Sequence, residues 1–170
     1  MKIELKKVKH YPSMSEETAC FVAELYADGK RIGHCKNIGQ GGETDVNWDM
    51  QNRDKFLEAE AYCKTLPPAF VGKISTIPNS LSNVADVLFM EWMKKKEDKV
   101  LEKDCEKGIC YQEKVGHFSY KIMQWKLGNK TLLMSQMFMN KNRLDLVKNY
   151  CTTLKEKGCV ILNKNLPFEV

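Results

Sequence analysis

The sequence predicts a single α+β domain over residues 1–170, with an N-terminal sheet that contains a β-hairpin, central helices, and a C-terminal β-meander plus helix. Alternating apolar residues and turn signals predict strands at both ends of the chain, whereas apolar residues spaced three and four apart predict helices in the middle. The element order lacks the strict alternation of a doubly wound sheet. Two subdomains that divide near residues 67–80 are the alternative organisation.

The N-terminal sheet is predicted from strand-like segments and one turn. Ile3–Val8 alternates with period two, as a half-buried strand does. Farther along, Asp28-Gly29 separates the strand-like runs 19–27 and 30–35. This dipeptide favours a type I′ turn, which needs positive φ at both central residues. We therefore expect a hairpin in which Gly29 has positive φ.

Two helices are predicted in the middle of the chain. The first covers residues 52–66, buries one face and is stopped by Pro67-Pro68. The predicted buried residues of this helix are Phe56, Ala59, Cys63 and Leu66. The second follows a connection over residues 75–80, starts at Asn79 or Ser80 as its N-cap, and ends near Gly108. Its predicted apolar stripe consists of Leu81, Val84, Ala85, Leu88 and Trp92.

The last part of the chain is predicted as three strands, a helix and a short buried strand. The three strands, rich in aromatic and apolar residues, are residues 109–114, 118–127 and 130–139. Gly128-Asn129 suits a two-residue hairpin turn between the second and third. Asn142 is predicted to cap the helix, and Gly158 to occupy its C′ position. The predicted buried side of this helix is Leu144, Val147, Cys151 and Leu154, and the short strand is residues 159–162.

The net charge of +5 lies in the second half of the chain. Residues 1–85 contain 11 basic and 11 acidic side chains, whereas residues 86–170 contain 16 basic and 11 acidic. This asymmetry favours an acidic partner, such as a nucleic acid or a negatively charged protein face. A solvated lysine-rich surface is the alternative, because only Arg31, Arg53 and Arg143 are arginine and readers of phosphates and bases often use arginine.

The cysteines and the N-terminus predict a cytoplasmic protein with reduced thiols. The seven cysteines are an odd number, and Met1–Lys6 lacks the apolar region of a secretory signal. No apolar run approaches the roughly 18–20 residues of a membrane helix, so we expect no membrane partner. Cys105, Cys110 and His117 lack a fourth ligand and a second cysteine knuckle. We therefore expect no metal and no cofactor.

The glycine-rich segment over residues 39–44 is the predicted partner-binding site. Its residues are Gly39, Gln40, Gly41, Gly42, Glu43 and Thr44. Three glycines in four positions suit a phosphate cradle, but the dinucleotide and P-loop patterns are absent, and Glu43 and Asp45 repel a phosphate. Glycines instead allow a partner surface to approach closely. A tight turn that leaves the hairpin is the alternative interpretation.

A second set of residues predicts an alternative, nucleic-acid-binding function for the basic half. Aromatic residues alternate with lysines on predicted strands, an arrangement that can stack single-stranded bases and hold their phosphates. These residues are Lys114, Lys121, Lys126, Tyr120 and Trp125. Some of the aromatic rings must also form the core, and no RNP-type motif is present.

Catalytic signatures are absent from the sequence. It contains no serine nucleophile elbow, no H-E-x-x-H and no zinc-deaminase pattern. We expect no catalytic residues and a protein that acts by binding, with a small hydrolase or nuclease built on the glycine-rich loop and its acidic neighbours as a further alternative.

Segments at both ends of the chain resemble a group of small bacteriophage and prophage proteins of unknown function. The similar segments are Ser15–Thr18, the hairpin Phe21–Lys36, Asn37–Gly42, Ala59–Cys63 with Leu66-Pro67, and residues 162–168. The resemblance implies an accessory protein of a mobile element that binds a host or defence-system protein, for example as an anti-CRISPR inhibitor. These motifs match no known active site, so the resemblance carries over no catalytic or binding residue.

Overall fold

The computed structural model describes residues 1–71, 75–114 and 119–169, and it confirms the α+β class. An N-terminal antiparallel sheet, central helices, and C-terminal strands with a helix follow one another along the chain. The chain divides into two compact units, unit 1 (Met1–Lys94) and unit 2 (Lys95–Val170). This division falls within a long helix and not near residues 67–80, and the single domain stays a prediction.

Unit 1 contains a four-stranded antiparallel sheet in which strands adjacent in sequence are adjacent in space. The strands are β1 (Ile3–His10), β2 (Phe21–Ala27), β3 (Lys30–Asn37) and β4 (Asp45–Trp48). The predicted hairpin is confirmed, because Asp28 and Gly29 have φ of 49° and 81° and Ala27 pairs with Lys30. Positive φ at both central residues gives the turn a twist that matches the strands on either side.

Two helices and a small hairpin complete unit 1. The elements are α1 (Arg53–Lys64), β5 (Ala69–Val71), β6 (Ser75–Ile77) and α2 (Leu81–Cys105), which continues beyond Lys94. Strand β6 pairs with β5, whereas the sequence predicts a connection over these residues. The strand was missed because three residues are too few to show a strand period. The N–H of Asn83 donates to the Ser80 hydroxyl at 3.2 Å, which confirms Ser80 as the N-cap of α2.

The core of unit 1 lies between one face of the sheet and the two helices. Phe21, Ala23 and Leu25 alternate inward from β2. The burial of Phe56, Ala59 and Cys63 confirms three of the four predicted positions on α1, whereas Leu66 follows the end of this helix and is half-buried. On α2 the predicted stripe omits Phe89, which is 3% exposed and stacks on Phe21 with ring centroids 4.0 Å apart. Leu81, Ala85 and Phe89, spaced four residues apart, form the most deeply buried line of this helix.

Unit 2 combines short strands with two helices. Its elements are β7 (Ile109–Gln112), β8 (Lys121–Met123), β9 (Lys126–Leu127), β10 (Lys130–Thr131), α3 (Met134–Phe138), α4 (Lys141–Glu156) and β11 (Val160–Ile161). One antiparallel sheet has the order β11-β7-β8, and β9 pairs with β10. The predicted Gly128-Asn129 turn is confirmed, since Gly128 has φ 58° and Leu127 pairs with Lys130.

The predicted strand over residues 130–139 is wrong beyond Thr131. Residues 134–138 form α3, in which Met134 and Met137 are buried on one side. The side chain of Gln136 accepts the N–H of Leu133 at 3.0 Å and so caps the first turn. An apolar run of this length does not distinguish a strand from a short helix by period. The predicted strand over residues 118–127 is divided into β8 and β9, and Phe118 lies outside the described residues.

Helix α4 starts earlier than predicted and ends as predicted. The N–H of Arg143 donates to the side chain of Asn140 at 3.2 Å, so Asn140 is the cap, and the prediction of Asn142 is wrong. Gly158 follows the C-cap residue with φ 74°, which confirms its C′ position.

Across residues 1–71, 75–114 and 119–169, no helix has both the length and the apolarity needed to cross a membrane.

All seven cysteines are free thiols, and six of them are buried. Cys20, Cys35 and Cys63 belong to unit 1, and the other four belong to unit 2. Burial raises the pKa of Cys35 to about 12, with a further contribution from the nearby Asp86 carboxylate. Burial likewise raises the pKa of Cys63 to about 11. These thiols stay protonated and pack as small apolar side chains.

Candidate functional site

The glycine-rich loop, defined as residues 38–44, joins β3 to β4 and forms the connection of a second hairpin in unit 1. It contains all six predicted partner-binding residues, Gly39, Gln40, Gly41, Gly42, Glu43 and Thr44. Gly39 and Thr44 are buried, whereas the four residues between them are exposed. The loop therefore has a buried base at its two ends and an exposed tip over residues 40–43.

The side chain of Asn37, the last residue of β3, holds the loop from inside. Its oxygen accepts the Thr18 hydroxyl at 2.8 Å and the Gly39 N–H at 2.9 Å. Its amide nitrogen donates to the Gly42 carbonyl and to the Thr44 hydroxyl, both at 3.1 Å. Asn37 is only 6% exposed, and these four bonds use both of its donors and both of its acceptor positions. A buried amide with every position satisfied fixes one loop conformation.

The carbonyl group of Gly39 is a second anchor. Its oxygen accepts three consecutive backbone N–H groups, those of Glu16, Glu17 and Thr18, at 2.9, 3.0 and 3.3 Å. Successive N–H groups that converge in this way form a concave nest for an oxygen atom. The Thr18 hydroxyl also accepts the N–H of Gly41 at 3.2 Å. Residues 16–18 and the loop therefore form one hydrogen-bonded surface.

Thr44 connects the loop to the N-terminal part of α2. The Thr44 hydroxyl accepts from Asn37 and donates to Asp86, and the Ser82 hydroxyl donates to the Thr44 carbonyl at 2.7 Å. Burial raises the pKa of the Asp86 carboxyl, the bond from Thr44 opposes that rise, and the charge of Glu43 adds to it. A continuous line of hydrogen bonds thus runs from Thr18 through Asn37 and Thr44 to α2.

Two of the three glycines in the loop are required by its geometry. Gly39 and Gly41 have φ of 88° and 82°, in the region that favours glycine. A β-carbon on Gly39 would collide with the Met14 carbonyl oxygen and lie 2.9 Å from the Cys20 β-carbon. Gly42 has neither constraint, because its φ is outside this region and a β-carbon there meets no atom within 4 Å. The tight-turn interpretation accounts for Gly39 and Gly41 but not for Gly42.

The surface around the loop is acidic and partly apolar. The loop, the segment 16–18 bonded to it and Asp45 carry four carboxylates, and the exposed Lys36 pairs in register with Asp45. Among these carboxylates, Glu16, Glu17 and Glu43 are exposed on the loop or on the segment bonded to it. Ile38 and Met14 are 55% and 56% exposed, and the Met14 backbone lies against Gly39, the residue that follows Ile38. Exposed apolar side chains within a polar rim are typical of surfaces that bind proteins.

The lysines of the alternative site lie on the surface of unit 2. Lys114 follows β7, Lys121 is in β8 and Lys126 is in β9, and all three are exposed. Lys121 forms an ion pair with Glu113. The structure therefore leaves these three charges accessible to solvent, as an electrostatic contact with a polyanion needs.

The two aromatic residues of the alternative site make internal contacts. Tyr120 is half-buried and its hydroxyl donates to Asp104 at 2.8 Å. Burial, together with that carboxylate, raises the pKa of Tyr120 to about 12. Trp125 packs edge-to-face on Tyr150, with ring centroids 5.9 Å apart, against the core of unit 2. The sequence pattern predicts that these two rings stack bases, whereas in the structure they contact other side chains of unit 2.

The other chemically reactive side chains do not converge on a site. Cys105 and Cys110 are neighbours whose thiol pKa values are both raised, mainly by burial, and His117 lies outside the described residues. In the part of the chain that the structure describes, no group of three or more His, Cys, Asp or Glu side chains is placed to hold a metal. His34 is exposed and Cys35 is buried, so the two side chains lie on opposite faces of β3 as predicted.

The sequence analysis missed the residues that hold the loop, namely Thr18, Asn37, Ser82 and Asp86. One local signal was present for Asn37. An asparagine two residues before a glycine is typical of a turn in which the side-chain oxygen accepts the later N–H, and this bond forms between Asn37 and Gly39. Ser82 and Asp86 gave no signal, because their partner Thr44 is about forty residues away in sequence.

Comparison with known proteins adds no family to this description. No protein-family model, no curated protein and no solved structure matches the chain. The resemblance to bacteriophage and prophage proteins therefore stays a prediction.

Proposed function

We propose that this protein is a non-enzymatic binding protein that recognises another protein through the glycine-rich loop of unit 1. The carrying observation is the Asn37 side chain, which is 6% exposed and fixes the loop with four hydrogen bonds while residues 40–43 stay exposed. A loop that is already ordered loses little conformational entropy when it binds, so its contacts contribute more fully to affinity.

The chemistry of the surface suggests which protein faces fit it. Glu16, Glu17 and Glu43 supply negative charge, and Ile38 and Met14 supply exposed apolar area. A partner with a basic rim around an apolar patch complements this surface, since complementary charge speeds association and excludes wrong partners. Gly42 adds an open position at which a partner backbone can approach closely.

The resemblance to bacteriophage and prophage proteins supports a biological setting for this binding. We propose a cytoplasmic accessory protein of a mobile element whose partner is a host or defence-system protein, for example a CRISPR effector that it inhibits. Inhibition by binding requires no catalytic residue, only a surface that occupies the partner's working site.

A bulky substitution at Gly42 tests the proposal. Gly42→Trp places a large side chain where the fold leaves open space, so we expect unchanged thermal stability and loss of partner binding. Gln51→Trp is the matched control, because Gln51 is exposed in the same unit but outside the loop. The measurement is affinity capture from bacterial host lysate with mass spectrometry, followed by size-exclusion chromatography with the purified partner.

The result that supports the proposal is a partner protein bound by the natural chain and by Gln51→Trp but not by Gly42→Trp. Equal binding by all three chains would show that the loop is not the contact surface. The proposal fails if no protein captured by the natural chain binds it again when both components are purified.

A further inference from the structure

The excess positive charge of the chain belongs to unit 2 and, within it, to the later residues. Unit 1 contains 12 basic and 13 acidic residues, a net charge of −1, whereas unit 2 contains 15 and 9, a net charge of +6. Residues 114–170 alone contain ten basic and three acidic residues. Nine of these ten are exposed lysines, and in the described part of the chain only Lys121 among them forms an ion pair. This charge is available to an anionic partner.

One cavity lies within this basic region, between α4 and the residues that follow β11. Its volume is about 270 Å³, close to the lower limit of small-ligand sites. The residues that line it are Lys148, Cys151, Thr152, Lys155, Phe168 and Glu169. Cys151, 2% exposed, forms the apolar floor, and the rim carries two lysines, one hydroxyl and one carboxylate.

The two lysines flank the cavity from one side of α4. Lys148 and Lys155 are seven residues apart, which places them two turns apart on one helix face and about 10 Å apart along the axis. Thr152 lies between them, and its hydroxyl donates to the Lys148 backbone carbonyl at 3.1 Å, so it meets a ligand only as an acceptor. This arrangement offers two cations to one anion, while the Glu169 carboxylate, which also lines the cavity, opposes an anion.

Phe168 adds an aromatic surface to the same cavity. The Lys148 ammonium lies 5.6 Å from the centroid of the Phe168 ring, and the ring is half-buried against the core of unit 2. An aromatic ring beside lysines is the combination that holds single-stranded nucleic acid, because the ring stacks a base and the ammonium groups bind its phosphates.

We propose that unit 2 binds single-stranded nucleic acid, with a phosphate held by Lys148 and Lys155 and a base placed on Phe168. The remaining exposed lysines of residues 114–170 add sequence-independent attraction for the rest of the strand. This site differs from the predicted set around Tyr120 and Trp125, because here two lysines and an aromatic ring line one cavity. It is also independent of the protein-binding loop of unit 1.

The test is the fluorescence anisotropy of a labelled oligo-dT of about 20 nucleotides, titrated with the full chain at several salt concentrations. The natural chain should bind at low salt, and the logarithm of its affinity should fall linearly with the logarithm of salt concentration. Lys148→Gln with Lys155→Gln should weaken binding and reduce the salt slope by about 0.7, since the two lysines hold one phosphate and each neutralised phosphate on a single strand contributes about 0.7. Lys36→Gln with Lys64→Gln removes the same charge from exposed positions of unit 1 and should change the affinity little.

Phe168→Leu separates stacking from charge, because it keeps an apolar side chain against the core. We expect about a tenfold loss of oligo-dT affinity at unchanged salt slope, within the range for loss of one stacked base. Absence of binding by the natural chain at low salt would overturn the proposal. It would also fail if the two lysine pairs had equal effects, or if poly-glutamate bound as tightly as oligo-dT and Phe168→Leu had no effect, since the cavity would then accept acidic protein instead.

Discussion

Each unit contains an asparagine whose side chain has four hydrogen-bonding partners, but the two side chains stabilise different kinds of structure. Asn37 in unit 1 is buried and bonds to residues between two and nineteen positions away, within and beside one loop. Asn163 in unit 2 is half-buried and joins distant parts of the chain. It accepts the Cys110 N–H at 2.7 Å, and its two amide hydrogens are shared among the Cys105 and Gly108 carbonyls, at 3.2 and 2.9 Å, and the side-chain oxygen of Asn165.

This difference shows how the same amide group can either shape a surface or close a fold. Asn37 leaves residues 40–43 exposed in a fixed conformation, which is useful for binding. Asn163 instead donates to carbonyl groups at and just after the C-terminal end of α2, where Asn165 also donates to the Cys105 carbonyl at 3.0 Å. Burial decides the energetic weight of each, because an unsatisfied group costs more where water cannot replace the lost partner.

Removing the two side chains gives the largest expected effects. Asn37→Ala should lower the free energy of unfolding by about 4 kcal/mol, since four buried bonds contribute roughly 1 kcal/mol each. Asn163→Ala should cost about 2 kcal/mol, because water reaches part of its surroundings. Urea denaturation of both variants measures the difference. Equal losses of unfolding free energy in the two variants would mean that the difference in burial between Asn37 and Asn163 does not affect their contributions to stability.

Two glycines at positive φ provide the next comparison. Gly39→Ala should cost about 3 kcal/mol, because it combines an unfavourable φ with contacts to Met14 and Cys20 that leave no room for a β-carbon. Gly158→Ala in unit 2 has a φ of 74° but open space, so it should cost only about 1 kcal/mol. Thermal unfolding checks both values. An equal loss of stability in Gly158→Ala and Gly39→Ala would contradict the conclusion that close packing at Gly39 fixes the loop.

The smallest expected effect concerns the pH dependence of the unfolding free energy in unit 1. The pKa of Asp86 is raised by burial in the folded state, so its contribution to stability is complete below the unfolded pKa and is lost as pH rises through the folded pKa. Asp86→Asn removes this titration and keeps an oxygen to accept from Thr44. The variant should therefore gain stability relative to the natural chain when pH rises from about 3 to about 7. Glu91→Gln, an exposed carboxylate on the same helix, is the control. The opposite trend for Asp86→Asn would contradict the assignment.

The sequence was informative wherever the signal was local. Asp28-Gly29, Gly128-Asn129 and Gly158 were predicted because a turn or a helix end depends on the φ preference of one or two residues. Residues 134–138 were mispredicted because a short apolar run fits a strand and a helix equally well. The N-cap of α4 was predicted at Asn142 and lies at Asn140, because both residues are asparagines and residue type alone does not distinguish them.

The candidate site was only half predictable, for the same physical reason. Three close glycines drew attention to residues 39–44, but the bonds that fix them come from Thr18, Asn37 and Asp86. Such contacts depend on which strands and helices meet in space, and polar residues that meet through tertiary structure leave no periodic pattern in sequence. The cavity beside Phe168 was missed likewise, since Phe168 and Lys148 are twenty positions apart.

The buried thiols give the chain its own reporters of local opening. A cysteine with a raised pKa and no solvent access reacts with an alkylating reagent only when the structure around it opens. Because three buried cysteines belong to each unit, the masses of labelled peptides would assign each opening event to its unit. Labelling Cys35 and Cys151 over time therefore compares how long the two units stay closed, without the introduction of any foreign probe.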